Sequence, residues 1–167
     1  MGTPVTYQIL QSGQLQVGVQ FIGANSVGPQ LTMTLPRVLI TPAASLNMIH
    51  DEWGQLTLDG EVLVDITTGS FGTIVHPDSG ATSPLPDEYY IGKGIVSIQQ
   101  ATDTSYIDVG NVPQFEFTPE VKKLDHYSSR LGIKTKDKTV VQEKAAKLKI
   151  VLDEWTARNL QMMLMGV

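Results

Sequence analysis

Alternation with a period of two runs through most of this chain. In "GQLQVGVQF", Leu15, Val17, Val19 and Phe21 fall on one side of an extended backbone, with Gln14, Gln16, Gly18 and Gln20 on the other. "LTMTLP" sets Leu31, Met33 and Leu35 against Thr32 and Thr34. "GQLTL" places Leu56 and Leu58 together, and Asp59-Gly60 reads as a bulge before the strand resumes as "EVLVDI". "GIVSI" and "QFEF" follow, Phe115 and Phe117 flanking Glu116. The longest stretch, "KTVVQEKAAKLKIVLD", turns Ala146, Leu148, Ile150 and Leu152 inward and Lys147, Lys149 and Asp153 outward. Successive side chains of a strand point to opposite faces, so each stretch offers one face to a core and one to water. Several such strands predict a mainly β protein, an antiparallel β-sandwich or barrel.

One segment departs from this period. "DEWTARNLQMMLMG" reads as a single flanking α-helix, with Asp153 or Thr156 as N-cap and Gly166 as the stop. Leu160, Met163 and Leu164 are expected on its buried face, with Ala157 one turn earlier. Methionines here are expected to pack in a core, where their flexible side chains fill gaps. A second short turn is expected at "AASLNMIHDEW".

A length of 167 residues suits one domain, residues 1–167, able to bury a real core. No cysteine is present, so disulfides and thiolate metal sites are excluded. No apolar run approaches the length that spans a bilayer, and "MGTPVTYQIL" lacks the basic start and apolar centre of a signal peptide, so a soluble protein is expected. The net charge of −5 is unevenly spread. Lys122 to Lys149 holds nine of the twelve basic residues against three acids, a balance of +6, which leaves −11 for the rest. Only His126 and Tyr127 add rings to that basic segment, too few for a nucleic-acid reader. It reads either as a solvated surface or as a basic patch that meets an acidic one on a neighbouring copy.

Catalytic chemistry is hard to assemble from these residues. His50, His76 and His126 lie far apart, outside metal-ligand spacing, and "HDE" at 50–52 reads as a turn surface. "IGKG" and "TTGSFGT" have glycines but no Walker lysine and no following helix. Ser128 and Ser129 near His126 lack an elbow and an orienting group. A non-enzymatic protein without cofactor or metal is expected.

Two segments resist burial. Pro119 to Thr139, "PEVKKLDHYSSRLGIKTKDKT", reads as a long charged loop, and loops of that length in compact domains are usually functional. Pro77, Asp78, Ser79, Gly80, Ala81, Thr82 and Ser83 form a polar pause in mid-chain.

From Asp108 to Leu160 the chain resembles the major tail tube protein of long-tailed (siphovirus-type) bacteriophages. The resemblance rests on "GNVPQFEFTP", "HYSSRLGIKTKD" and "LDEWTARNL" as a set. "VQFIGANSVGPQLTMTLPRV" and "DEWGQLTLDGEVLVDITTGSFGT" resemble a later part of the same family. The order is reversed: residues 3–76 are similar to the family's C-terminal half and 84–167 to its N-terminal half. This implies a circular permutant, read as engineered with a natural reordering as the alternative, in which 77–83 joins the old ends.

The family resemblance further implies a β-sandwich-like barrel of the tail tube type with one flanking helix. Such subunits form hexameric rings that stack into a tube through which DNA passes without specific binding. The implied partners are further copies of the chain and other tail proteins (tape measure, tail terminator, distal tail protein). The implied location is the virion tail, with host cytoplasm during assembly. His126, Tyr127, Arg130, Lys134, Lys136 and Asp137 fall in the family's long loop and are expected at inter-subunit contacts. The alternative is a monomeric β-sandwich module that binds a glycan or a protein.

Overall fold

A computed structural model describes residues 6, 8–11, 13–42, 51, 53–77, 89–130 and 132–165. Among the described residues, eight strands and one helix follow in the order β1 Leu15–Gly23, β2 Thr32–Pro42, β3 Leu56–Val62, β4 Thr73–Val75, β5 Gly94–Gln100, β6 Ile107–Asp108, β7 Gln114–Ser128, β8 Thr135–Leu152 and α1 Ala157–Leu164. The strands form one antiparallel sheet in the order β6-β5-β1-β2-β3-β8-β7, and β4 pairs with the remaining length of β2. The expected mainly β fold with a flanking helix is what the chain adopts.

The sheet folds back over itself. Phe21 of β1 stacks on Phe115 of β7, ring centroids 5.4 Å apart, although three strands separate β1 from β7 in the pairing order. Between the two layers lie Val17, Val19, Leu35, Val38, Ile40, Leu58, Val96, Ile98, Leu148 and Ile150, all buried. Each such side chain contributes about 1.5–3 kcal/mol by leaving water, so the alternating strands need this shared interior. Ala146, Leu148, Ile150 and Leu152 point into it and Lys147 and Lys149 point out, as alternation requires.

Several expectations are corrected. Asp59-Gly60 is not a bulge: β3 pairs in unbroken register with β2 from Leu58 to Val62 and with β8 along its whole length. Gly60 serves packing instead, since a Cβ there would meet Val38 Cγ1 at 2.6 Å. A bulge lies instead at Pro36, and the β7–β8 pair shifts register at Lys122/Lys123 and His126/Tyr127. Val17 pairs with Val38 and Val19 with Leu35, so Gly18 stands opposite Pro36 and Arg37. A proline fits where the ladder is already interrupted, which lets β2 continue to Pro42 and bury Val38 and Ile40.

The helix keeps one of its two expected N-caps, but its buried face and its stop are set differently. Thr156 is the N-cap, its hydroxyl accepting from the Asn159 amide at 3.1 Å. The buried residues of α1 are Asn159, Met162 and Met163, whereas Leu160 and Leu164 are half-buried and Ala157 is exposed. The stop comes at Met165, whose left-handed backbone (φ 46°) lets its amide reach the carbonyls of Gln161 and Met162. Gly166 lies outside the described residues, as does nearly all of the turn expected at 43–53.

Candidate assembly arm

Pro119 to Thr139 is not a loop. Its two ends are the distal halves of β7 and β8, paired from Gln114↔Val151 out to Ser128↔Thr135. Core burial stops near Ala146, and nothing among the described residues covers the hairpin beyond it. At about 3.3 Å per residue, Glu120 to Ser128 projects roughly 26 Å from the domain.

Pairing fixes which side chains share a face. Leu124 pairs with Val140 on one face, while Val121 pairs with Lys144, and Lys123 with Val141, on the other. Val121 is 51% exposed, Leu124 56%, Val140 48% and Val141 47%. Both faces of the arm therefore carry uncovered β-branched or leucine side chains.

The sequence-predicted contact residues gather at the tip. His126 Nδ1 lies 2.6 Å from Asp137 Oδ1, and Lys134 Nζ sits 5.2 Å from the centre of the Tyr127 ring. Lys136 Nζ reaches Asp125 Oδ2 at 2.7 Å, and the Thr139 hydroxyl donates to Asp125 Oδ1 at 2.7 Å. Those two donors hold the Asp125 carboxyl below its ordinary range, with a smaller contribution from the Lys123 charge. Asp125 in turn holds the Lys136 ammonium above its own. Arg130 stands in the connecting turn, its amide donating to Ser128 Oγ at 3.5 Å. Asp125 and Thr139 were missed in the sequence because a loop assignment gives no cross-strand register. Of the expected joint, Pro77 is exposed, and Asp78, Ser79, Gly80, Ala81, Thr82 and Ser83 lie outside the described residues.

Two concavities flank the base of the arm. One, of about 580 Å³, opens on the outer face of β2, β3, β8 and β7. Its walls are two cross-strand rows, Thr41–Asp59–Lys149–Glu116 and Glu61–Lys147–Thr118. Lys147 donates to Glu120 at 2.8 Å, which raises its ammonium above the ordinary value. The other, of about 420 Å³, is an apolar cleft between the layers, lined by Phe21, Met33, Ile74, Tyr90, Phe115 and Phe117. Among the described residues, no group of three or more His, Asp or Glu side chains could hold a metal ion.

Among the described residues the fold is that of a mainly β protein with a single folded-over antiparallel sheet, one capping helix and a long two-stranded arm. The chain belongs to the family described as "Protein of unknown function UCP028589", which matches residues 2–75 and 89–167. The stretch between the two matches, 76–88, contains the polar pause at 77–83. No curated protein and no solved structure matches the chain.

Proposed function

We propose that this protein is a structural subunit that assembles with copies of itself, as hexameric rings stacked into a phage tail tube that conducts the genome. One observation carries the reading: the arm exposes apolar side chains on both faces and finds no cover among the described residues of its own subunit. An isolated two-stranded hairpin is marginal in water, and an uncovered strand edge is an association hazard unless pairing is its purpose. A neighbouring subunit removes both problems. In this reading the tape measure, tail terminator and distal tail protein meet the ends of the tube, and DNA passes a wall that does not grip it. The location follows: the host cytoplasm during assembly, then the virion tail. No catalytic step is assigned.

A permuted order is supported by where the chain brings its segments. The Leu10 amide donates to the Leu164 carbonyl at 2.8 Å, placing the two outer segments side by side. Val75 pairs with Thr32, and the Tyr89 carbonyl lies against Gly28, where φ is +83° and a Cβ would meet that oxygen at 2.1 Å. Both sides of 76–88 thus return to the turn between β1 and β2, a distance that a short joint spans.

The second reading, a monomeric binding module, draws on the aromatic cleft around Phe21, Tyr90 and Phe115. Negative-stain microscopy with light scattering on a sizing column separates the two. Rings or tubes of constant diameter are expected, and a monomer at every concentration would favour the module.

A further inference from the structure

We infer that the cationic face of the arm seats in the carboxylate-lined groove on the outer sheet face of a second copy. This rests on the assembly reading above and names the surface that receives the arm.

The arm's two faces differ in charge. One carries Leu124 and Val140 among near-balanced charges, with Lys122 Nζ 3.9 Å from Glu143 and His126 against Asp137. The other carries Lys123, Lys136 and Lys144 beside Val121 and Val141, with Asp125 as its one acid. Lys123 and Lys144 form no ion pair among the described residues. Lysines gathered on one face with a single acid among them cost stability unless an anionic surface meets them.

The groove has the opposite surplus. Asp59, Glu61 and Glu116 line it with Lys147 and Lys149, and Glu120 already holds Lys147. Asp59 and Glu61 form no ion pair among the described residues. The aliphatic stems of Lys147 and Lys149 give its floor an apolar stripe on which Val121 and Val141 can lie.

A subunit cannot fill its own groove. Glu116 and Lys149 sit on the same two strands that continue outward to Lys123 and Val141, so the arm leads away from it. From Glu116 to Lys123 the separation is roughly 23 Å. Donor and acceptor are different patches on one chain, which makes the contact heterologous and lets it propagate from copy to copy.

The test uses two full-length variants, K123E/K144E on the arm and D59K/E61K in the groove. Folding of each is checked by circular dichroism, and assembly by microscopy and light scattering. Each alone is expected to raise the concentration needed for assembly at least tenfold. Mixed in equal amounts they should assemble as alternating copies, because reversed arms meet reversed grooves. Isosteric D59N/E61Q, which puts no new charge beside Lys147 and Lys149, should give a smaller loss in the same direction. Normal assembly of the groove variants, or failure of the mixture, while wild type assembles, overturns this acceptor and leaves the subunit reading standing. A wild type that forms no rings at any concentration overturns both.

Discussion

Arg158 of the helix and Asp103 of the β5–β6 turn close a two-pronged ion pair, Nη1 donating to Oδ1 at 3.2 Å and Nη2 to Oδ2 at 2.5 Å. Nη2 also donates to the Ile98 carbonyl at 3.1 Å, so one guanidinium ties α1 to the edge of the sheet. The Arg158 hydrogen bonds, aided by the Gln100 amide, hold the Asp103 carboxyl below the ordinary value near 3.9. A depressed carboxylate adds stability that is fully present above its unfolded pKa and is lost as pH falls through the folded one. Asp103→Asn should therefore lower the melting temperature at pH 7, and the gap from wild type should close below about pH 3.9. A gap independent of pH would show that shape, not charge, holds the helix there.

Asn159 is buried, and its amide donates to the carbonyls of Val109 at 2.8 Å and Glu154 at 2.9 Å. Asn159→Leu keeps the branched outline with bulkier tips and leaves those carbonyls without their donor. A loss of about 2–4 kcal/mol in urea unfolding is expected.

Gly60 faces Val38 across the β2–β3 pair. Gly60→Ala should cost about 1–3 kcal/mol through overpacking. Val38→Ala opens the space that the new methyl needs, so the double variant should be more stable than the sum of the single losses. Strict additivity in a double-mutant cycle would show that the clash is absorbed elsewhere.

The arm should separate folding from assembly. Replacing Leu124 and Val140 by Thr is expected to change unfolding by no more than about 0.5 kcal/mol, because both are exposed in the subunit. The same change should sharply reduce ring and tube formation. Charge reversal at Arg130 and Lys134 should act alike, with a folded subunit and impaired assembly. Unchanged tube yield in both would remove the Leu124 face and the tip of the arm from the interface, leaving the Lys123 face to the charge-reversal test.

Salt gives a further check on the tip. The Asp125–Lys136 pair is exposed enough to be screened, so raising ionic strength should loosen the hairpin end while the core keeps its melting temperature. Amide exchange at Tyr127 and Lys136, compared with Ile150, reads this directly.

Strand identity was legible wherever one face is buried. Val17 and Val19, Leu56 and Leu58, and Ala146 through Leu152 announce their strands because burial sorts their neighbours by polarity. The arm was illegible for the same reason: with neither face covered, "EVKKLDHYS" carries no two-residue contrast and reads as loop. The bulge expected at Asp59-Gly60 misled in another way, since a bulge is a mismatch in count between two paired strands, here Pro36 and Arg37 against Gly18, and one strand's pattern does not reveal its partner's register.

The sequence alone determined the class of fold, the presence of the helix, and the concentration of positive charge in one segment, since these depend on residues near each other in the chain. Only the tertiary structure decided that this charge rides on a projecting hairpin, that Arg158 reaches Asp103, and that Asp59, Glu61 and Glu116 share one groove. Those relations are set by strand order and register, which depend on pairings between residues far apart in the chain.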